Sequence, residues 1–139
     1  MIVLFLLFSL PIWAAPLPYS IGSIGLQLEL ALTEQEREWG LSERVSVPED
    51  QGMLFRFETA RFVTLWMYRV QFDLDIAFLD EAGSIREIRT LKAHPHIQEA
   101  AFFAGQALTS SFKASYALEM NAGWFARHGI GVGARLISP

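Results

Sequence analysis

Apolar and polar residues alternate along several short stretches of the chain. A period of two places successive side chains on opposite faces of an extended backbone, so each stretch is typical of a half-buried β-strand. A mainly β domain follows from this pattern. The stretches with this period are 24–32, 53–57, 74–78, 85–91, 112–120 and 130–136.

One further stretch, 62–68, is apolar on both faces, which favours a central strand of the sheet. Its tryptophan, Trp66, is therefore expected in the core, as are Trp39 and Trp124, because tryptophans are more often buried than exposed as sugar platforms. One residue from each clear strand face serves as a marker of the core. The expected core markers are Leu28, Phe55, Trp66, Ile76 and Leu118.

Two short helices interrupt the strand pattern. Thr33 and Glu36 form a capping box, in which the hydroxyl and the carboxylate satisfy free backbone N–H groups at a helix start. This helix should run to about Trp39 and end at Gly40. A second helical turn is predicted over 123–128.

The connections carry their own signals. Residues 80–83 read Asp-Glu-Ala-Gly, which is typical of a hairpin turn. Residues 92–111 show no period and are interpreted as a long loop, which weakly hints at function. About seven short strands and two helical turns predict a small β-sandwich or an open barrel.

The first residues resemble an export signal. Residues 2–10 are an apolar run that ends at Pro11, and small residues follow at Ala14 and Ala15, where cleavage is expected. No Lys or Arg precedes Arg37, so an uncleaved anchor or a buried strand is also considered. The run is shorter than the roughly 20 residues that span a bilayer, which favours the signal peptide.

These boundaries predict a signal peptide over 1–15, a linker over 16–25 rich in Pro, Gly and Ser, and a single domain over 26–137. The location expected for the mature protein is the periplasm or the outside of the cell. No stable membrane span is expected after cleavage.

Composition narrows the function classes. The chain has 139 residues with 11 basic and 15 acidic side chains, a net charge of -4, and no basic block, so nucleic acid is a poor candidate partner. It has no cysteine, which excludes disulfides, thiolate metal sites and a cysteine nucleophile. No glycine-rich phosphate loop and no nucleophile elbow occurs.

Several short motifs occur in one order. They are Glu36-Arg37-Glu38-Trp39-Gly40-Leu41, Gly52-Met53-Leu54-Phe55, Trp66-Met67, Leu74-Asp75-Ile76-Ala77-Phe78-Leu79-Asp80, Leu118-Glu119-Met120-Asn121-Ala122-Gly123-Trp124 and Arg127-His128-Gly129-Ile130. In this order the chain resembles the domain of unknown function 192, an uncharacterised and often secreted prokaryotic family. The resemblance implies a compact, jelly-roll-like β domain and no established reaction.

The chain departs from the pattern of that family at several polar positions. Tyr68 and Arg69 replace part of a Lys-Asn-Thr segment, Asp73 replaces a proline, Ala134 replaces an aspartate, and Ser42 replaces a methionine. If the polar cluster of the family is a site, this chain has altered it.

Candidate chemistry rests on four polar residues. Asp75 and Glu119 each alternate with apolar neighbours on a strand, and Asn121 shares the strand face of Glu119. Arg44, which matches an arginine of the family pattern, could pair with either carboxylate. The four are expected to form one cluster, which is either a structural network or a binding site for a ligand.

His94 and His96 are two residues apart, a spacing that metals can use, although no third ligand is indicated. A solvated loop is favoured, and no cofactor is expected. The leading functional hypothesis is a non-enzymatic binding module for a small polar ligand, a glycan or an envelope protein. The alternative is a metal-assisted or acid/base enzyme that uses Asp75 and Glu119.

Overall fold

A computed structural model of the chain describes residues 12–139, so the apolar run 2–10 lies outside the described residues. In this part the chain forms a mainly β domain built on one curled, half-barrel sheet. The strands are β1 (Leu17–Ile21), β2 (Ile24–Ala31), β3 (Gln51–Arg61), β4 (Thr64–Leu65), β5 (Leu74–Leu79), β6 (Ile85–Leu91), β7 (Leu108–Thr109), β8 (Ala114–Asn121) and β9 (Leu136–Ile137). The helices are α1 (Glu34–Trp39), α2 (Ala100–Gly105) and α3 (Trp124–Arg127).

Seven strands form the main sheet in the order β6-β5-β8-β3-β2-β1-β9, and β4 pairs with β7 in a separate two-stranded ribbon. The pairing is antiparallel except between β2 and β3, which run parallel because α1 and its following loop carry the chain back across the sheet. The sheet curls so that its two edges meet at one end. There the backbone N–H of Ile85 donates to the carbonyl of Ala134, and that of Leu136 donates to the carbonyl of Gly83.

Each face of the sheet packs into its own apolar cluster, as the period of two requires. The face named here the α1 face carries Met53, Phe55 and Ile76 and is covered by α1 and residues 62–72. The opposite face, named the α3 face, carries Leu28, Leu54 and Leu118 and packs on Trp124 and Phe125 of α3.

The predicted mainly β class is confirmed, and the curled sheet corresponds to the open barrel of the two architectures considered. The first helix is also confirmed. Thr33 accepts the backbone N–H of Glu36 at 3.1 Å, and the Glu36 carboxylate accepts the N–H of Leu32 at 2.9 Å. Gly40 ends the helix at a φ of 52°, a conformation that costs glycine little.

The prediction of a central strand over 62–68 is wrong. Only Thr64 and Leu65 are in a strand, and they pair with β7 outside the main sheet. The segment crosses over the α1 face, because β8 already occupies the place next to β3 and β5. Consequently Trp66 is 42% exposed, which contradicts its expected place in the core, whereas the other four markers are buried.

Three boundaries also differ from expectation. The predicted linker over 16–25 contains β1, whose edge pairs with both β2 and β9. The predicted last strand over 130–136 shortens to Leu136–Ile137, since Gly129 and Gly133 adopt positive φ angles that interrupt an extended chain. The long loop over 92–111 contains α2 and β7. Between residues 12 and 139, no helix has the length and apolar character needed to span a membrane.

Candidate functional site

A cavity of about 620 Å³ lies between the α1 face of the sheet and the segments that cover it. Its lining combines aromatic and aliphatic side chains with several polar and charged ones. One wall is the end of α1 and the residues after it, the other is segment 61–70, and the sheet forms the floor. The aromatic side chains that line it are Trp39, Phe55, Phe57, Phe62, Trp66 and Tyr68.

The close approach of the first wall depends on a glycine. A Cβ at Gly40 would lie 3.3 Å from the Cζ atom of Phe55, so a larger residue would press on the floor of the cavity. The second wall is anchored through a buried hydroxyl. Ser110 accepts the N–H of Val63 at 3.0 Å and donates to the carbonyl of Phe112 at 2.7 Å. The second wall is therefore anchored by hydrogen bonds, and the first wall lies too close to the floor for a larger residue at position 40.

Glu119 of β8 lies in the floor of this cavity. It lies opposite Met53 of β3 and Ile76 of β5 in the sheet register, so all three side chains occupy the α1 face. Its exposure is only 6%, and no hydrogen bond or ion pair joins its carboxyl group to any residue from 12 to 139. Burial without a partner raises the pKa of Glu119 to about 8.

An acid in this state is predominantly neutral near pH 7. A neutral carboxyl group has one O–H donor and an accepting oxygen, so it can recognise a single polar group on a ligand. A ligand that fills the cavity must supply hydrogen bonds to this carboxyl group, because a polar group left unsatisfied under an apolar ligand is costly. Glu119 is thus the polar contact point in the floor of the cavity.

Asp75 does not reach this cavity. It lies opposite Met120 in the register, on the α3 face of the sheet. Its carboxylate accepts the Thr90 hydroxyl at 2.7 Å and the backbone N–H of Gly123 at 2.9 Å. Asp75 therefore ties β6 and the start of α3 to β5, and the two carboxyl groups expected to work together are separated by the sheet.

The expected partnership of Arg44 is also corrected. Arg44 pairs with Glu29 of β2 at 2.5 Å, a residue not considered from the sequence. Glu29 lies opposite Met53, which lies opposite Glu119, so two strand spacings of about 4.8 Å each separate the carboxyl groups. Arg44 is thus engaged elsewhere on the same face.

Asn121 has a structural contact of its own. Its side-chain amide donates to the carbonyl groups of Val47 and Pro48 at 2.9 and 3.3 Å, which holds the turn before β3 against the end of β8. The single polar cluster expected from Arg44, Asp75, Glu119 and Asn121 is therefore not formed. Of the four, only Glu119 lines the cavity.

The two histidines considered for a metal site lie in the segment before α2. His94 packs edge-on against Phe102, with ring centroids 5.0 Å apart, and its neighbour His96 is exposed. Within residues 12–139 no group of three or more His, Asp or Glu side chains is arranged to hold a metal ion.

The positions at which the chain departs from the family pattern fall both inside and outside the cavity. Ser42 and Tyr68 both line the cavity and are joined by a 3.3 Å hydrogen bond from the Ser42 hydroxyl to the Tyr68 carbonyl. Asp73 lies outside it, where its carboxylate accepts the N–H of Ala93 at 2.7 Å. That bond, together with Lys92, lowers the pKa of Asp73. Arg69 pairs with Glu43 at the surface, at 3.6 Å.

The sequence interpretation missed most of the cavity. Its walls come from a helix and a crossing segment whose relative position no local pattern encodes. One signal was available, because an apolar stretch with no period, 62–68, is also typical of a segment that lies across a face with some aromatic side chains exposed. Phe62 and Trp66, 55% and 42% exposed, are such residues.

One comparison shows the family. The model of DUF192, described as Uncharacterized ACR, matches residues 20–138, and the chain belongs to this family. No curated protein matches the chain.

Two solved structures are similar to this one. A protein of Sinorhizobium meliloti 1021, described as a candidate transcription regulator, is 32% identical with a TM-score of 0.76, over 94% of this chain and 98% of that one. A protein of unknown function from Novosphingobium aromaticivorans DSM 12444 is 25% identical with a TM-score of 0.74, over 91% and 92% of the two chains.

Proposed function

We propose that this protein is an exported, non-enzymatic module that binds a small, mainly apolar ligand in the cavity of the α1 face. The observation that carries the proposal is Glu119, a buried acid with no partner in residues 12–139, in the floor of an aromatic cavity of about 620 Å³. Ligand sites are usually apolar cavities of this size with a few polar groups that fix orientation.

A small molecule fits this cavity better than the glycan or envelope protein also considered. Sugars carry many hydroxyl groups, and a site for them needs a matching number of polar side chains. Here aromatic rings take up much of the lining, and besides Glu119, Ser42 and Thr64 its polar side chains are charged ones from α1 and the end of β3. A protein partner would need a broad exposed patch, whereas this site is a recess with its acid in the floor.

The enzyme alternative loses its main support. It required Asp75 and Glu119 to act as a pair, and they lie on opposite faces of the sheet. Asp75 is also engaged by Thr90 and Gly123. We therefore favour binding over acid/base catalysis.

Regulation of transcription, suggested by the description of the Sinorhizobium protein, has little physical support in this chain. Nucleic-acid binding needs a basic surface, because most of its affinity comes from phosphate contacts. The chain carries a net charge of -4, and several of its arginines pair with carboxylates, among them Arg44, Arg86 and Arg127.

Occupancy of the cavity can be tested with N-phenyl-1-naphthylamine, a neutral probe that fluoresces in apolar surroundings. Thr64 lines the cavity, and its hydroxyl bonds to that of Thr109 across the ribbon. Thr64→Trp should reduce probe affinity at least tenfold by filling the mouth. Thr109→Trp breaks the same hydrogen bond outside the cavity lining and should not. Equal binding by both variants would contradict a ligand site here.

The role of Glu119 can be tested by displacing the probe with 2-naphthol and with 2-methylnaphthalene, which differ by one hydroxyl group. The wild-type protein should prefer 2-naphthol, because the hydroxyl group can bond to Glu119. Glu119→Leu should abolish this preference while retaining 2-methylnaphthalene. A preference unchanged in the variant would show that Glu119 does not contact the ligand.

Export is tested separately. Mass spectrometry of cell-envelope fractions should find the mature protein beginning at Ala15 or Pro16, as the small residues after the apolar run predict. An intact chain that begins at Met1 in the cytoplasm would contradict export and leave the cavity proposal standing.

A further inference from the structure

Two arginines converge on one aromatic ring at the edge of the cavity. The guanidinium carbon of Arg37 lies 5.4 Å from the ring centroid of Phe57, and that of Arg61 lies 4.4 Å from it. All three residues line the cavity. The arginines come from different elements, α1 and β3, so their proximity results from the tertiary fold and not from sequence spacing.

Neither guanidinium group is neutralised by a carboxylate. Glu34 and Glu38 of α1 also line the cavity, yet within residues 12–139 no ion pair of 4.0 Å or less joins either arginine to an acid. Arg37 donates to the backbone carbonyls of Leu32 and Arg56, and its buried Nε–H has no acceptor.

This arrangement brings two positive charges to one aromatic ring, where each stacks on the ring face. Guanidinium groups present planar N–H donors that match carboxylate, phosphate or sulfonate oxygens. The pair at Phe57 therefore has the chemistry of an anion-binding site.

The arginine pair lies far from the acid of the same cavity. Phe57 is four residues along β3 from Met53, the residue opposite Glu119. At about 3.3 Å per residue, the two ends are about 13 Å apart. Phe55 lies between them on the same face, so the path from one end to the other is apolar.

We propose that the ligand of this cavity is an elongated apolar anion whose negatively charged group lies between Arg37 and Arg61. Its apolar body covers Phe55, and its far end reaches Glu119. This inference rests on the proposed function, since it names the class of ligand for the same cavity.

The test compares two probes that share a ring system. 1-Anilinonaphthalene-8-sulfonate carries a sulfonate, and N-phenyl-1-naphthylamine is its neutral counterpart. Arg61→Gln is the informative variant, because Arg61 is exposed and makes no backbone contact that the fold needs. The matched control is Arg86→Gln, an exposed arginine that pairs with Asp80 away from the cavity.

The wild-type protein should bind the sulfonate probe at least tenfold more tightly than the neutral probe. Added salt should weaken the binding of the sulfonate probe only. Arg61→Gln should reduce sulfonate affinity about tenfold and leave the neutral probe unchanged, whereas Arg86→Gln should change neither. Arg61→Lys should recover part of the affinity, since it restores charge without the planar donors.

The outcomes separate the two proposals. If the neutral probe binds and Arg61→Gln leaves the sulfonate unaffected, the anionic end is wrong and the cavity proposal stands. If neither probe binds to the folded protein, both are overturned. Near-unity stoichiometry and an unchanged near-ultraviolet circular dichroism spectrum exclude binding to a partly unfolded state.

Discussion

Two acids on neighbouring strands have the same sequence pattern and nearly the same burial, yet opposite surroundings. Asp75 of β5 is 5% exposed and Glu119 of β8 is 6% exposed, and each alternates with apolar residues. On the α3 face, Asp75 accepts hydrogen bonds from Thr90 and Gly123. On the α1 face, Glu119 contacts a cavity and has no partner in residues 12–139.

The difference shows that burial alone does not mark a functional acid. Asp75 is buried at the cost of desolvation, which its two hydrogen bonds offset, so its role is to join β6 and α3 to β5. Glu119 has no hydrogen-bond partner within residues 12–139, and it faces the cavity. An acid left open to a cavity in this way is the better candidate for ligand contact, because acids with a perturbed pKa cluster at functional sites.

The largest expected effect concerns pH. The native state holds the Glu119 proton up to about pH 8, whereas an unfolded glutamate releases it near pH 4.5. Unfolding therefore releases a proton in this window, and the free energy of unfolding falls as pH rises from about 4.5 to 8. The loss is as much as about 5 kcal/mol, at about 1.4 kcal/mol per pH unit. Glu119→Gln cannot titrate and should remove this fall, as measured by urea unfolding from pH 5 to 9.

Asp73 provides a contrast of opposite sign when the same unfolding measurement is extended below pH 4. Its hydrogen bond from Ala93 lowers its pKa, so its contribution to stability is present above the unfolded pKa and is lost as pH falls. Asp73→Asn should therefore change the free energy of unfolding only at the acidic end of the pH range. The free energy of unfolding could instead vary with pH in the same way for Glu119→Gln and the wild-type protein from pH 5 to 9. That result would show that Glu119 in solution is either exposed or paired.

The second effect tests the satisfied acid. Asp75→Leu keeps a similar side-chain size but removes both accepting oxygens, so the Gly123 N–H and the Thr90 hydroxyl lose their acceptor. The expected destabilisation is about 2–3 kcal/mol, since a buried donor without an acceptor is costly. Chemical unfolding at pH 7 measures it. A cost below about 1 kcal/mol would show that the two bonds contribute little, and the contrast with Glu119 would fail.

The period of two identified the strands that carry Asp75 and Glu119 and the alternation of their faces, but it left open whether the faces with the two acids meet solvent. It could not say which face of one strand meets which face of the next, since that depends on register between distant segments. Asp75 lies opposite Met120, not Glu119, and this one-residue offset puts the acids on different faces. For the same reason Glu29 was overlooked as the partner of Arg44.

Local signals performed best where the interaction itself is local. The capping box of Thr33 and Glu36 spans three residues and formed as expected. The segment 62–68 failed because its apolar content reflects packing across the α1 face, where Val63 and Met67 are buried and Trp66 is not. Hydrophobicity indicated burial of the segment but not which of its side chains the fold covers.

The tryptophans of the two faces allow a further comparison, in which the difference between two variants is the expected result. Trp124 is fully buried on the α3 face, and Trp124→Ala should cost about 3–5 kcal/mol. Trp66 lies at the cavity with a ring contact to Tyr68 at 5.2 Å, and Trp66→Ala should cost about 1 kcal/mol or less. Binding of N-phenyl-1-naphthylamine should show the reverse order, with the larger loss at Trp66. Equal losses of affinity would contradict the location of the site.

The smallest effect concerns Arg44, which was expected from the sequence to pair with Asp75 or Glu119. The pair with Glu29 is only partly shielded from water, with side-chain exposures of 26% and 19%, so screening limits its contribution to about 0.5–1 kcal/mol. Arg44→Gln and Glu29→Gln should each cost about this much, and the double variant should cost less than their sum. That coupling, measured by urea unfolding at pH 7, identifies Glu29 directly as the partner of Arg44.

The pH dependence that comes from Glu119 should persist in Arg44→Gln, because Met53 separates Glu29 from Glu119 in the sheet. If Arg44→Gln instead coupled to Glu119→Gln by more than about 0.5 kcal/mol, Arg44 would contact the cavity acid, and Glu119 would no longer be without a partner.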